Sequence, residues 1–202
     1  MSSDLLSLIS DVRPASDYGK IRNDVYKLIS KYKAPRYLKL TDRLSMLFED
    51  AVTVWFQIEE TIHMEATDDD NMMREIIRTY QPMIPKLDEI SFTLFVHVYN
   101  DEEMRSLLPK YNGIERGVKM ILDGKSVDAS PIYPEDYGPG SQVRSMHYLK
   151  YKSSGLSELV AKAMHVEVSV DHPQSKVKVN VPSDTLDSIR RSIGASSVKW
   201  II

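Results

Sequence analysis

An alternating run near the middle of the chain constrains the fold more than any other feature. Residues 90–99, ISFTLFVHVY, place an apolar side chain at every second position from Ile90 to Val98. Strict alternation over this length is typical of a β-strand, because successive side chains point to opposite faces of a sheet. The positions between them include Phe95 and Tyr99, so the sequence predicts a strand that is buried on one face and partly on the other.

Turn residues divide the other alternating segments into hairpins. Asp123-Gly124 separates two short strands and is the strongest hairpin signal in the chain, because both residues tolerate the positive φ angles of a tight turn. Thr41-Asp42 and the segment around Pro173 separate two further pairs. The strands predicted in this way, together with one unpaired strand, are 36–40, 43–49, 117–122, 125–129, 143–152, 165–170 and 176–181.

Apolar residues at helical spacing predict helices between these strands. Asp50 is placed to cap a helix at 51–66, and Asp68 to Asp70 to cap the next one, so the two are expected to form a helical hairpin. The remaining predicted helices are 18–32, 101–108, 155–164 and a last one that begins at Ser183 and ends at Gly194.

The order of these elements predicts the fold class. Strand hairpins and helices do not alternate regularly, which argues against a parallel doubly wound sheet and favours an α+β fold. We expect a mainly antiparallel sheet of about six strands, with the helical hairpin and further helices packed on it. A chain of 202 residues is also expected to form a single domain, residues 1–202.

Charge and composition exclude several functional classes. The net charge is −3, from 26 basic and 29 acidic residues without a basic block, which argues against nucleic-acid binding. No window approaches the roughly 18 apolar residues of a membrane span, and residues 1–11 lack the features of a signal peptide, so a cytoplasmic protein is expected. Because the chain has no cysteine, any metal must be held by His, Asp or Glu.

Complete catalytic motifs are missing from the sequence. It contains no Gly-rich dinucleotide or phosphate loop, no Gly-x-Ser-x-Gly elbow and no His-Glu-x-x-His pair, so no reaction follows from it. Residues 130–142 hold three prolines and two glycines and predict a long surface loop. Loops of this length are often functional, although a simple connection is the commoner case.

A polar stripe on the helix at 51–66 is the first candidate site. Thr53, Gln57 and Glu60 are spaced at i, i+4 and i+7 on a helix that is otherwise largely apolar, and Glu49 lies just before it. Buried polar groups must be paired, solvated or used. The stripe therefore indicates a network of buried hydrogen bonds, a ligand or metal cleft, or a face exposed to solvent.

Histidines supply the second candidate site. Asp171-His172-Pro173 follows a predicted strand and is either a ligand or acid–base pair or a simple turn, with the turn favoured. His147 shares a strand face with Leu149, which is typical of a core histidine whose hydrogen bonds are satisfied. The Glu60-x-x-His63 spacing occurs once and lacks the partners of a di-iron bundle.

A family resemblance runs through most of the chain. The segments LFEDAVTVWFQIEETIHME, YQPMIP, MHYLKY and VSVDHP resemble, over roughly residues 20–190, an uncharacterised prokaryotic family, domain of unknown function number 3501. The chain departs from that pattern at His63 and Ser175. The matching positions are Phe48, Glu49, Thr53, Gln57, Ile58, Glu60, Glu65, Tyr80, Pro82, Pro85, His147, Asp171, His172 and Pro173.

The resemblance implies a cellular role and no chemistry. Genes of the family often neighbour those of rubrerythrin and of iron–sulfur oxidoreductases, which implies an accessory protein of oxidative stress with a redox partner. Neighbourhood is an association and carries no mechanism.

Two functional hypotheses follow. In the first, the protein is an enzyme or a metal-binding or ligand-binding protein, and one cleft between the helical hairpin and the sheet gathers the candidate side chains. Glu49, Thr53, Gln57, Glu60 and Asp171 are the ligand-binding candidates. His147, His172 and Glu60 are the candidate ligands of a divalent Fe, Mn or Zn ion.

In the second hypothesis, the protein is a non-catalytic interaction protein. It acts as a homo-oligomer, expected to be a dimer, or as the partner of an oxidoreductase, and the helix at 51–66 buries Trp55 and Phe56 against a second subunit.

Overall fold

The computed structural model of the protein describes residue 9 and residues 11–193. Its helices are α1 (Ala15–Lys33), α2 (Ala51–Met64), α3 (Asp70–Tyr80), α4 (Asp101–Ser106), α5 (Leu156–Lys162) and α6 (Ser183–Ser192). Its strands are β1 (Tyr37–Lys39), β2 (Leu44–Phe48), β3 (Glu89–Val96), β4 (Val118–Leu122), β5 (Lys125–Pro131), β6 (Met146–Lys152), β7 (Val166–His172) and β8 (Ser175–Asn180). The fold is α+β, as predicted.

The sheet has eight strands, in the order β1-β2-β3-β6-β5-β4-β7-β8, and every pair of neighbours is antiparallel. The prediction of about six strands was wrong, because the short edge strands β1 and β8 both join the same sheet. The three predicted hairpins are confirmed, with Asp123 and Gly124 both at positive φ in the β4–β5 turn. Single-domain organisation stays a prediction, which the continuity of the sheet supports.

The inner face of the sheet carries one apolar cluster that extends from one edge to the other. Leu38 on β1 and Val170 on β7 belong to the same buried cluster, and Val179 on the edge strand β8 packs against it. Leu156 of α5 and Ile189 of α6 cover this face. Because side chains from distant strands meet here, the sheet is curled around this core.

The outer face is covered by the first three helices. A second apolar cluster contains Val25 of α1, Trp55 of α2 and Met73 of α3, and it reaches Tyr148 on β6. Tyr148 alternates with His147 and Leu149, so it lies on the opposite face from the inner cluster. The sheet is therefore a layer with different helices on each side. None of the helices in the described part of the chain is both long and apolar enough to cross a membrane.

Helix ends test the local predictions. Asp50 caps α2 and Asp69 caps α3 through side-chain hydrogen bonds to backbone N–H groups, as predicted. Ser183 was wrongly predicted as a cap: it is the first residue of α6, which follows Pro182 without a side-chain cap. Gly194, the predicted end of that helix, lies outside the described residues.

A close backbone approach between β4 and β7 predicts opposite effects for two glycine substitutions. A Cβ at Gly117 would lie 2.2 Å from the carbonyl oxygen of Asp171, so we expect Gly117→Ala to destabilise the protein by about 2 kcal/mol or more. The matched control is Gly19→Ala in α1, where a Cβ would meet only His63, at 3.5 Å. This substitution should stabilise the protein by about 0.5–1 kcal/mol, because alanine favours a helix over glycine. Urea unfolding of both variants measures the difference. Equal stabilities would contradict the tight approach at residue 117.

Candidate functional site

The polar stripe of α2 begins in the cap of the helix. The Asp50 side chain accepts hydrogen bonds from the backbone N–H groups of Val52 and Thr53, both at 3.0 Å, and the Thr53 hydroxyl accepts one from the Asp50 N–H at 2.9 Å. Thr53 is fully buried in this capping box. Its hydroxyl therefore satisfies the start of the helix and is not offered to a ligand.

Glu49 lies at the centre of the second part of the stripe. Its Oε1 accepts hydrogen bonds from Gln57 at 3.0 Å and from the hydroxyl of Thr93 at 2.6 Å, whereas its Oε2 has no partner. Burial raises the pKa of Glu49, although the nearby Thr53 hydroxyl and the hydrogen bond from Thr93 oppose that shift. A cavity of about 10 Å³, lined also by Arg36, reaches this carboxyl. That volume is about the space of one water molecule, so Glu49 and Gln57 form a buried network rather than a ligand cleft.

Glu60 is held by the first helix. Arg22 donates to its two oxygens, at 3.0 Å and 2.7 Å, and the hydroxyl of Tyr18 donates at 2.7 Å. Burial alone would raise the pKa of Glu60, but the hydrogen bonds from Arg22 and Tyr18 outweigh it and hold the pKa below its usual range. With both oxygens engaged, this carboxylate ties α1 to α2.

The neighbouring Glu59, which the sequence analysis missed, has the opposite environment. Its side chain is fully buried, and burial raises its pKa to about 8, although Arg13 opposes the shift. The backbone N–H of Arg13 donates to Oε1 at 3.1 Å and its guanidinium lies 3.6 Å from the same oxygen, whereas Oε2 has no hydrogen-bond partner among the described residues. A buried carboxylic acid at position 59 is not visible in the helical pattern, because the spacing singled out positions 53, 57 and 60.

Asp171 and His172 are the last residues of β7, and Pro173 begins the tight turn to β8, in line with the favoured alternative. His172 pairs with Ser175 across the β7–β8 hairpin, and Asp171 is exposed on the other face with an ion pair to Lys176 at 3.4 Å. His172 is buried and its ring is satisfied: Nε2 contacts the carbonyl of Asn112 at 3.1 Å, and Nδ1 accepts from the N–H of Gln174 at 3.3 Å.

The candidate residues therefore do not share one cleft. Glu60 lies among the helices of the outer face, whereas His147 and His172 lie on the same strand faces as apolar residues of the inner cluster. In the part of the chain that the structure describes, no three His, Asp or Glu side chains are arranged to hold a metal ion. The structure does not bring Glu60 together with His147 and His172, because the sheet lies between the outer helices and the inner face.

The aromatic residues predicted to face a second subunit are already covered. Within a single chain, Trp55 is 0% exposed and Phe56 is 8% exposed. The argument for an interface on α2 is therefore removed, while oligomerisation itself stays a prediction.

A larger cavity lies at the end of β6, under the loop that the sequence singled out. Strand β5 ends at Pro131, opposite Leu149, so the next inward position on β6, His147, has no β5 neighbour on that side. The chain instead forms a short 3₁₀ helix, Pro134–Tyr137, and returns over the gap. The resulting space, called the loop cavity below, has a volume of about 420 Å³ and is lined by His147 and by residues 111–113, 115–116 and 136–144.

His147 is the most unusual group of the loop cavity. It is 4% exposed, and neither ring nitrogen makes a hydrogen bond of normal geometry to any residue that the structure describes. Burial lowers the pKa of His147, and the nearby carboxylate of Glu115 and backbone of Arg144 offset only part of that effect. The ring of Tyr137 stacks on the imidazole at 5.7 Å between centroids. The sequence correctly placed His147 on the apolar face, but the prediction of a satisfied core histidine was wrong.

Charged groups of both signs line the same cavity. Glu115 is 3% exposed and pairs with the exposed Arg116 at 3.3 Å, and Arg144 pairs with Asp136 at 2.8 Å. The Nε atom of Arg144 is buried without a partner. These residues lie in loops and 3₁₀ turns, where no periodicity exposes them. The proline and glycine content of residues 130–142 was the only sequence signal that pointed to the region.

The arrangement offers both kinds of hydrogen bond to a small molecule. A neutral imidazole provides one donor and one acceptor, a guanidinium provides donors, and a carboxylate provides acceptors. Both ring nitrogens of His147 and the Nε atom of Arg144 have no hydrogen-bond partner among the described residues. Concave sites with a few convergent polar groups are typical binding sites.

Comparison with known proteins gives a family and a fold. The sequence model of a family described as "Protein of unknown function (DUF3501)" matches residues 8–193. No curated protein matches the chain. A crystal structure of a novel protein of unknown function from Burkholderia pseudomallei K96243 is similar to this structure, with a TM-score of 0.80 and 22% identity. The similarity covers 90% of this chain and 96% of that one, and at this identity it shows the fold alone.

The raised pKa of Glu59 predicts that stability falls with rising pH. Between its ordinary value of 4.5 and about 8, the folded protein keeps a proton that the unfolded chain has released. One such proton lowers stability by up to about 1.4 kcal/mol per pH unit. Glu59→Gln, which keeps an acceptor for the Arg13 N–H, should remove this slope and be the more stable protein at pH 8. Urea unfolding at pH 5, 6.5 and 8 measures it.

Glu60→Gln is the matched control on the same helix. The folded-state pKa of Glu60 is lowered, so its contribution is present above the ordinary pKa and is lost as the pH falls. This variant should therefore be less stable than the wild type at neutral pH and approach it in acid. Parallel slopes for the two variants would overturn the assignment of the buried acid.

Proposed function

This chain belongs to the DUF3501 family of proteins of unknown function, and on that premise we propose that the loop cavity binds a small polar molecule that His147 recognises. One observation carries the proposal: at the wall of a cavity of about 420 Å³, both ring nitrogens of a buried histidine lack a hydrogen bond of normal geometry to any described residue. A ligand that hydrogen-bonds the imidazole accounts for a polar residue in this position.

The energetics favour a functional reason for His147. A buried polar group without a partner costs about 1–3 kcal/mol, and His147 lies in a cross-strand row with Leu94 and next to Leu149 on the same face. An apolar residue would fit that row without the penalty. The lowered pKa keeps the ring neutral at pH 7, so it can donate one hydrogen bond and accept another.

The other polar groups restrict the ligand. Glu115 is a buried acceptor and Arg144 carries a buried donor, so the ligand needs donors and acceptors of its own. Such a molecule is small and bifunctional, for example an amino or hydroxy acid.

The wider role follows the family resemblance and stays a prediction. This prediction includes an accessory function in oxidative stress, gene proximity to rubrerythrin, an oxidoreductase partner and a cytoplasmic location. The sequence has no cysteine, so a redox role of this chain would not use a thiol. We therefore assign to the protein the binding of a small molecule in the loop cavity. The alternative, a homo-oligomeric interaction protein, predicts a mass of two chains in sedimentation velocity.

Two buried histidines provide the test. His147→Phe removes two unpaired nitrogens and keeps a ring against Tyr137, so unfolding stability should stay within about 0.5 kcal/mol of the wild type or rise. His172→Phe is the matched control: His172 also stacks on a tyrosine, Tyr111, but its nitrogens are hydrogen-bonded, so the change should cost about 1–3 kcal/mol. Urea unfolding measures both.

Ligand binding completes the experiment. A panel of amino and hydroxy acids is screened by thermal shift, and a member that stabilises the wild type should not stabilise His147→Phe. If His147→Phe loses as much stability as His172→Phe, the imidazole is satisfied in the free protein and the proposal fails. It also fails if a panel member stabilises both proteins equally.

A further inference from the structure

A second cavity lies on the outer face of the sheet, on the other side of the same loop. It has a volume of about 340 Å³ and is called the tyrosine cavity here, because Tyr80, Tyr133 and Tyr148 line it. It shares only Asp136 and Arg144 with the loop cavity. The two spaces are separated because His147 and Tyr148, consecutive residues of β6, point to opposite faces.

The aromatic side chains form perpendicular walls. The rings of Tyr133 and Tyr148 have an interplanar angle of 86° and centroids 6.1 Å apart. Two tyrosine hydroxyl groups are held by threonines of the neighbouring helices. The Tyr133 hydroxyl donates to the carbonyl of Thr79, and the Tyr80 hydroxyl accepts from the hydroxyl of Thr61 at 3.1 Å. These anchored hydroxyls hold the rings of Tyr133 and Tyr80 in place at the wall of the cavity.

The charge at the rim is acidic. Glu135 and Asp136 line the cavity together with one cation, Arg144. Arg144 is paired with Asp136 at 2.8 Å, so Glu135 is left as the net charge. Burial raises the pKa of Tyr133, and Tyr148, Tyr80, Asp136 and Glu135 raise it further. The negative charges of both rim carboxylates are therefore close enough to Tyr133 to disfavour loss of its phenol proton.

We propose that the tyrosine cavity is a binding site for a small organic cation with a methylated ammonium group. The negative faces of aromatic rings attract cations, and tyrosine cages with an acidic rim are suited to quaternary ammonium groups. Such a group has no N–H to satisfy, which matches a site whose phenol oxygens are partly engaged. Binding of such a cation here does not require the ligand proposed for the loop cavity.

Choline chloride is the probe, and its neutral isostere 3,3-dimethylbutan-1-ol is the control. We expect choline to bind with a Kd of about 1 mM, measured by titration calorimetry, and to shift the ring-proton NMR signals of Tyr80, Tyr133 and Tyr148. The neutral alcohol should bind at least about tenfold more weakly. Equal binding of the two compounds, or no binding of choline at millimolar concentration, overturns the proposal.

Variants locate the site. Tyr133→Leu and Tyr148→Leu should each weaken choline binding at least about tenfold, and Glu135→Gln should weaken it about threefold because it removes the uncompensated rim charge. Tyr133→Phe keeps the ring and loses the hydroxyl, so its affinity should stay within about twofold. Unchanged affinity in the leucine variants overturns the assignment. If those variants do not fold, Glu135→Gln and the neutral alcohol decide.

Discussion

The buried ion pair between Arg36 and Asp50 is the interaction on which the arrangement of layers depends. Its atoms lie 2.7 Å apart, with the two side chains 3% and 8% exposed. Asp50 also caps α2 and accepts from Tyr32 of α1, while Arg36 donates to the hydroxyl of Ser192 on α6 at 2.7 Å. Removing one partner of such a pair leaves an uncompensated buried charge, at a cost of about 3–5 kcal/mol. One pair thus fixes the outer helices, the end of β2 and an inner helix relative to one another.

The parts of this fold that the sequence predicted are those decided by neighbours in the chain. Alternation marked β3, Asp123-Gly124 marked a hairpin, and Asp50 marked the start of α2, because each depends on residues within a few positions. The strand order was not predictable in the same way. The β4–β5 hairpin joins β6 on one side and β7 on the other. Which strand edges pair is decided by the shape of the shared inner core, and no single segment of the sequence determines that shape.

The candidate site shows the same division. The polar stripe was recognised, and one of its weighed alternatives, a network of buried hydrogen bonds, describes Thr53, Gln57 and Glu49. The partner of Glu60, by contrast, is Arg22, which is 38 positions away and has no pattern that connects the two. His147 was placed on the correct face, but its lack of hydrogen bonds depends on the end of β5 at Pro131 and on the return of the loop. Glu115 and Arg144 lie in irregular segments, where helical or strand periodicity gives no information.

The Arg144–Asp136 pair has a thermodynamic consequence because it is a common wall of two spaces on opposite faces of the sheet. A molecule that draws the guanidinium toward one face changes the charge and the shape of the other. Occupancy on the two sides is then linked, and linkage is reciprocal: whatever factor one occupant imposes on the affinity of the other is returned unchanged. A single surface ion pair contributes little to stability, but in this position it can couple binding on the two faces of the sheet.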